Sequence, residues 1–219
     1  MTSNIAEFYK NKNLFITGGT GFLGVTIIEK ILRSCPNVSS ITITIVVCVI
    51  INVYLFKVGK VYLLMRPKKG KEIKERLQEL TKNSVFTVLL EQTSEDIFNK
   101  LVPVAGDVGE ENLGLSAADR QMLINNVNIV IHSAATLDFQ AALKPTVVIN
   151  LLGTRRVMQL SQELKNIVSV VHISSAYVNS FLLETEEKLY SPPDDAERII
   201  ELVNSHDEKE LDQLTPGYV

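Results

Sequence analysis

The sequence predicts a doubly wound α/β fold on a parallel sheet. Short apolar runs alternate with stretches of helical periodicity along the chain. The runs are continuously apolar, as strands covered on both faces are. The first run ends in glycines that open the first helix, which sets the strand–turn–helix order. Leu14–Thr17 is the first strand. Phe22–Arg33 follows as a helix, with Leu23, Ile27, Ile28, Ile31 and Leu32 at helical spacing. Val61–Met65 is the second strand, and Glu72–Lys82 an amphipathic helix with Ile73, Leu77 and Leu80 on one face. Leu101–Ala105 is the third strand; Ser116–Asn125 is a helix with Ser116 as N-cap. Asn128–His132 is the fourth strand, Thr146–Leu164 a long helix, Ser169–Ile173 the fifth strand, and Asp194–Val203 a last helix.

A chain of 219 residues suits one domain, 1–219, with a sizeable core. Its net charge of −3 is spread along the chain, without the basic face that a nucleic-acid partner needs. The one compact basic cluster is Arg66-Pro-Lys-Lys-Gly-Lys71. Two cysteines, Cys35 and Cys48, make no disulfide framework and point to a reducing, intracellular compartment. The N-terminus has no basic segment followed by an apolar one, so no secretory signal is expected. His132, His172 and His206 lack metal-ligand spacing, and no metal is expected. The first two are expected to close buried strands.

The glycine run identifies the ligand class. Gly18, Gly21 and Gly24 stand as G-x-x-G-x-x-G between strand and helix. Gly18 allows the sharp turn, Gly21 lets backbone approach a pyrophosphate, and Gly24 lets the helix pack close to the sheet. The helix N-terminus offers free N–H groups to the phosphates. The fold is thus of the dinucleotide-binding Rossmann type. The second strand ends in Arg66, not in the acidic residue that reads a ribose 2′-hydroxyl. A forked guanidinium suits a 2′-phosphate, with Lys68 and Lys69 nearby, so the expected cofactor is NADPH. Asp107 ends the third strand, where its carboxylate is expected to accept from the adenine amino group. Ser133, Ala134 and Ala135 end the fourth, small enough for a cofactor to lie across them. Asn150 is read as tying the long helix to neighbouring backbone.

Six segments together carry a resemblance: "FYKNKNLFITGGTGFLG", "VYLLMRPKKGK", "VAGDV…NLGLS", "VIHSAATLDF", "INLLGTRRVMQL" and "VVHISSAYVNS". They resemble the alcohol-forming, NADPH-dependent fatty acyl-CoA reductases, the insect type above all, which are extended short-chain dehydrogenase/reductases. The resemblance implies pyrophosphate binding by Gly18, Thr20, Gly21, Phe22, Leu23 and Gly24. It implies 2′-phosphate binding by Arg66 and adenine near Asp107 and Val108. It implies a catalytic hydroxyl on Ser175, bonded to the substrate carbonyl oxygen. The implied reaction takes a long-chain acyl-CoA through a hemithioacetal and an aldehyde to the alcohol by two hydride transfers. The implied setting is the cytosolic face of the peroxisomal or endoplasmic-reticulum membrane.

The family's general acid is a Tyr with a Lys four residues later. No tyrosine here has that lysine: the fourth residues after Tyr9, Tyr54, Tyr62, Tyr177 and Tyr190 are Asn13, Val58, Arg66, Phe181 and Asp194. The chain therefore resembles the N-terminal part of a reductase domain whose sheet is incomplete at its C-terminal end. Taken alone it is expected to bind NADPH weakly or not at all and not to turn over. A different extended reductase or epimerase, a non-catalytic NADP-binding chain, and a membrane-anchored fragment are the alternatives that the fold leaves open.

One stretch does not fit. Between the first helix and the second strand, residues 38–57 read "VSSITITIVVCVIINVYLFK". Connections of this kind take about 2–6 residues. The stretch is short for a membrane span and would duplicate a strand already assigned. It reads as an apparent insertion, compatible with an intron read through in frame: Val-Ser can be encoded by a donor-like GTAAGT, and Lys57 by AAG.

Overall fold

The computed structural model describes residues 4–35, 58–66, 70–138 and 140–214. Strand β1 (Leu14–Thr17) lies at the centre of one parallel sheet. Around it stand β2 (Val61–Met65), β3 (Leu101–Ala105), β4 (Ile129–His132) and β5 (Ser169–His172), in the order β3-β2-β1-β4-β5. The strands that flank β1 come from opposite halves of the order, so the crossovers diverge there and open a crevice at the strands' carboxyl ends. Register brings Thr17 beside His132, and His132 beside His172.

Alternation along the strands builds two cores. Leu14 and Ile16 join Leu63, Met65, Ile129 and Ile131 on one face, under α2 (Phe22–Ser34), α3 (Ile73–Thr81) and α4 (Thr87–Gln92). Phe15 joins Tyr62, Leu64, Val104 and Val130 on the other, under α5 (Ala117–Asn126) and α7 (Gly153–Glu163). A third cluster joins Val147 to α8 (Ala196–Ser205) and α9 (Glu208–Leu214).

The helix ends follow local chemistry. Ser116 Oγ accepts from Asp119 N–H at 3.0 Å and caps α5. Glu72 and Glu75 form a reciprocal capping box on α3. Asp195 caps α8 through Arg198 N–H at 3.0 Å.

The long helix differs from its expectation. It begins with α6 (Leu143–Thr146), and its middle, Val147–Leu152, is π-helical before α7 resumes. Two side chains hold this wide turn. Asn150 Oδ1 accepts from Thr136 N–H at 2.9 Å, and Arg156 Nη1 donates to Val148 O and to Val108 O, each at 3.2 Å. Such π turns recur at functional sites. The short helices α1 (Asn4–Tyr9), α4 and α9 run too few turns to show a period.

Two burial expectations are corrected. His132 is buried, but His172 is exposed, because β5 pairs only with β4 among the described residues. Leu23, expected on the buried helix face, is exposed with Phe22 beside the glycine turn. The stretch 38–57 lies outside the described residues.

Candidate cofactor site

The turn after β1 is fixed from two sides. Gly18 has φ +72°, and a Cβ there would meet Ser133 and Ala134 backbone at 2.7 Å. The turn therefore rests on the exit of β4. A Cβ on Gly24 would lie 2.2 Å from Gly18 O and 2.7 Å from Gly19 Cα. The close approach that Gly24 allows is thus between helix and turn backbone rather than between helix and sheet. Gly21 is the N-cap of α2, its N–H donating to Gly18 O at 3.0 Å. Among the described residues no side chain caps the helix. Its first N–H groups open onto a surface flanked by the exposed Thr20, Gly21, Phe22 and Leu23. An uncapped helix end over a turn too tight for side chains fits a pyrophosphate.

At the ends of β2 and β3, Arg66 and Asp107 come together. Arg66 is exposed, with Nε 3.8 Å from Asp107 Oδ2. A guanidinium N–H of Arg76, on α3, donates to the Arg66 carbonyl and holds the strand exit. Asp107 Oδ1 accepts from Gly109 N–H at 2.9 Å, which leaves Oδ2 open toward Arg66. Val108 is buried against Gly153, so its side chain belongs to the core. Pro67, Lys68 and Lys69 lie outside the described residues. A shallow pocket between α2 and α3, lined by Thr20, Val25, Arg76, Glu79, Leu80 and Asn83, adjoins this edge.

At the end of β4, Ser133 Oγ donates to Thr17 O at 2.8 Å, and Ala134 N–H to Thr17 Oγ1 at 3.3 Å. Ala135 is exposed beyond them. Below lies a polar chain that the sequence reading missed. Thr17 Oγ1 is 2.6 Å from His132 Nδ1, and His132 Nε2 is 3.0 Å from Thr154 Oγ1. Thr154 in turn donates to Asn150 O at 2.7 Å. Burial, then the neighbouring His172, lowers the His132 pKa to about 4, so the ring is neutral. A signal was available: alternation puts Thr17 on the face of Phe15 and His132 on that of Val130, and these faces coincide.

At the end of β5, Ser175 is exposed. Its Oγ accepts from Tyr177 N–H at 3.1 Å, leaving the hydroxyl proton to donate. Gly18 to Gly24, Arg66, Asp107, Ser133 to Ala135 and Ser175 thus all follow the carboxyl ends of successive strands, where α/β sheets bind ligands.

The chain matches an NAD-binding family described as Male sterility protein, over residues 16–47 and 51–219. It is 51% identical to the Putative fatty acyl-CoA reductase CG8306 of Drosophila melanogaster over 98% of this chain and 38% of that one. It is 36% identical to the Drosophila melanogaster Fatty acyl-CoA reductase wat, and 32% to the Homo sapiens Fatty acyl-CoA reductase 1, again over 99% of this chain and 38% of theirs. The chain thus spans well under half the length of these relatives. Among solved structures, the terminal R domain of the myxalamid PKS-NRPS pathway superposes with a TM-score of 0.55 at 24% identity, over 77% of this chain and 36% of that one. The R domain of a nonribosomal peptide synthetase from Mycobacterium tuberculosis gives 0.54 at 21%, over 78% and 35%. At such identity the likeness speaks for the parallel α/β fold alone. With the family match covering most of its length, and the glycine turn, the strand order and the sheet edge all in place, the chain belongs to the Male sterility family of NAD-binding domains.

Proposed function

We propose that this chain is the cofactor-binding half of an NADPH-dependent fatty acyl-CoA reductase that takes long-chain acyl-CoA to fatty alcohol. The observation that carries the reading is the juxtaposition of an uncapped helix N-terminus over a side-chain-free turn with Arg66 one strand away. The turn backbone and α2 hold the pyrophosphate. Arg66 turns from Asp107 to pair with the 2′-phosphate, and the freed Asp107 Oδ2 accepts from the adenine amino group. When bound, NADPH supplies the hydride. Ser175 Oγ–H donates to the substrate carbonyl oxygen and orients it. None of the tyrosines here has a lysine four residues on, so no residue of this chain is assigned as the proton donor.

The similarity to proteins named as fatty acyl-CoA reductases supports the acyl-CoA substrate. On the family resemblance, the setting we propose is intracellular, on the cytosolic face of a peroxisomal or endoplasmic-reticulum membrane. Among the described residues no helix is long and apolar enough to cross a membrane. Imaging the protein expressed from its complete transcript tests that setting.

The cofactor assignment is tested by titrating the protein expressed from its complete transcript with 2′-phospho-ADP-ribose and with ADP-ribose. Preference for the phosphorylated ligand is expected, with reversal on Arg66→Glu. Equal affinity for both ligands overturns NADPH. The reaction is tested by supplying NADPH and a long-chain acyl-CoA to the protein expressed from its complete transcript. Fatty alcohol is the expected product; its absence, or a product retaining the thioester, overturns the reaction.

A further inference from the structure

The buried chain of polar groups under the sheet edge has a defined direction. Thr154 Oγ1 spends its proton on Asn150 O, so toward His132 it accepts, and His132 Nε2 carries the ring hydrogen. His132 Nδ1 is then bare and accepts from Thr17 Oγ1, whose oxygen accepts from Ala134 N–H in turn. One neutral tautomer satisfies every member. The chain has two ends. One is Thr17, the residue before Gly18, with Ala134, against which Gly18 has no room for a Cβ. The other is the π-helical segment, where Asn150 also holds Thr136 N–H at 2.9 Å.

We propose that His132 is a positioning residue of the cofactor site, a neutral imidazole strut that couples the phosphate turn at Thr17–Gly18 to the π-helical segment at Asn150. The proposal rests on the cofactor reading above for its functional consequence, and on geometry alone for the coupling. Among the described residues three elements face the imidazole: Thr17 from β1, Thr154 from α7 and His172 from β5, whose ring centroid is 5.1 Å away. No carboxylate is among these, so nothing among the described residues compensates a second proton. That proton would turn Nδ1 into a donor and leave the Thr17 hydroxyl without its acceptor. Burial opposes the same event. The strut therefore keeps every hydrogen bond satisfied only in its neutral form.

The experiment uses the 219-residue chain, uniformly labelled with nitrogen-15, as wild type, Thr154→Val, His132→Gln and the double variant. Thr154 lies on the far side of the imidazole from the phosphate turn. In Thr154→Val the amide signals of Gly18, Gly19 and Gly21 are expected to shift, with no added shift in the double variant beyond His132→Gln. The His132 nitrogens should report the Nε2–H tautomer and stay neutral at pH 5.5. With NADP+ as probe, and the same variants made in the protein expressed from its complete transcript, Thr154→Val and His132→Gln each weaken binding about tenfold, and the double variant no further. Turn amides that ignore Thr154→Val, additive variants, or a His132 that titrates near pH 6.5 overturn the coupling. Failure of the wild type expressed from its complete transcript to bind NADP+ overturns the cofactor reading instead, while the amide shifts of the 219-residue chain still decide the strut.

Discussion

Gly24 bears on the site more directly than its distance from the open helix end suggests. It touches no ligand, yet a single methyl would drive its helix off the turn, because the obstructing atoms are backbone. Backbone cannot rotate aside as a side chain can, so Gly24→Ala is expected to cost about 3 kcal/mol. The urea midpoint should fall, with the slope unchanged. Gly21→Ala meets only Gly18 O, at 3.3 Å, and should cost far less. A comparable loss in the two variants would mean that helix-to-turn contact is not what selects glycine. Arg66 is a different case. Its side chain is exposed and its pairing with Asp107 spans 3.8 Å, so the pair contributes little to stability. Arg66→Glu should leave the unfolding free energy within about 0.5 kcal/mol of wild type while reversing the preference for a 2′-phosphate. A large loss of stability would show Arg66 to be structural.

Among the elements, strands were legible because a parallel strand is a local event: a run of about four or five mainly apolar residues between polar or glycine-containing stretches. β1, β2 and β3 fall on their expected bounds. The glycine turn was legible for the same reason. The π-helical turn was not, since Val147–Leu152 is as apolar as a regular helix, and what holds it wide is a side chain from the same helix, Arg156, and the Thr136 amide from the loop after β4. The neutral state of His132 was equally hidden, being a product of burial and of partners from two other elements. It sets a pH dependence. The folded pKa, about 4, lies below the ordinary 6.5, so the unfolded chain takes up the proton first. The stabilisation is complete above pH 6.5 and is lost as pH falls toward 4, about 3 kcal/mol in all. Chemical unfolding at steps between pH 7 and pH 4.5 should show that decline in wild type and a flatter one in His132→Gln. Parallel declines would place the sensitivity on other groups.

At the scale of the whole molecule, two features stand apart from the compact sheet. β5 leaves Val170 and Val171 exposed, as are Ile167 and Val168 before it and Val178 and Phe181 beyond it. In the sequence Ser169–Ile173 reads as a strand covered on both faces, since burial by neighbours is not written in the strand itself. The other feature is the stretch 38–57. The residues that bracket it do have described positions. Cys35, at the end of α2, is buried, and so is Val58, ahead of β2; both belong to one core cluster with Ile31, Leu32 and Val61. Lys100 Nζ donates to Val58 O at 3.1 Å and anchors that side. An α2 end and a β2 approach that share one cluster are what a short connection joins. Removing 38–57 leaves Pro36 and Asn37 to make it. The shortened chain should fold to the same sheet and unfold cooperatively. It should also aggregate less, because it loses a run rich in β-branched residues with one charge at its end. Circular dichroism, the urea midpoint and light scattering of the two chains side by side decide this. A shortened chain that cannot fold would make the stretch an integral part of the domain, and mature transcripts in which codons 38–57 predominate would remove the intron as its origin.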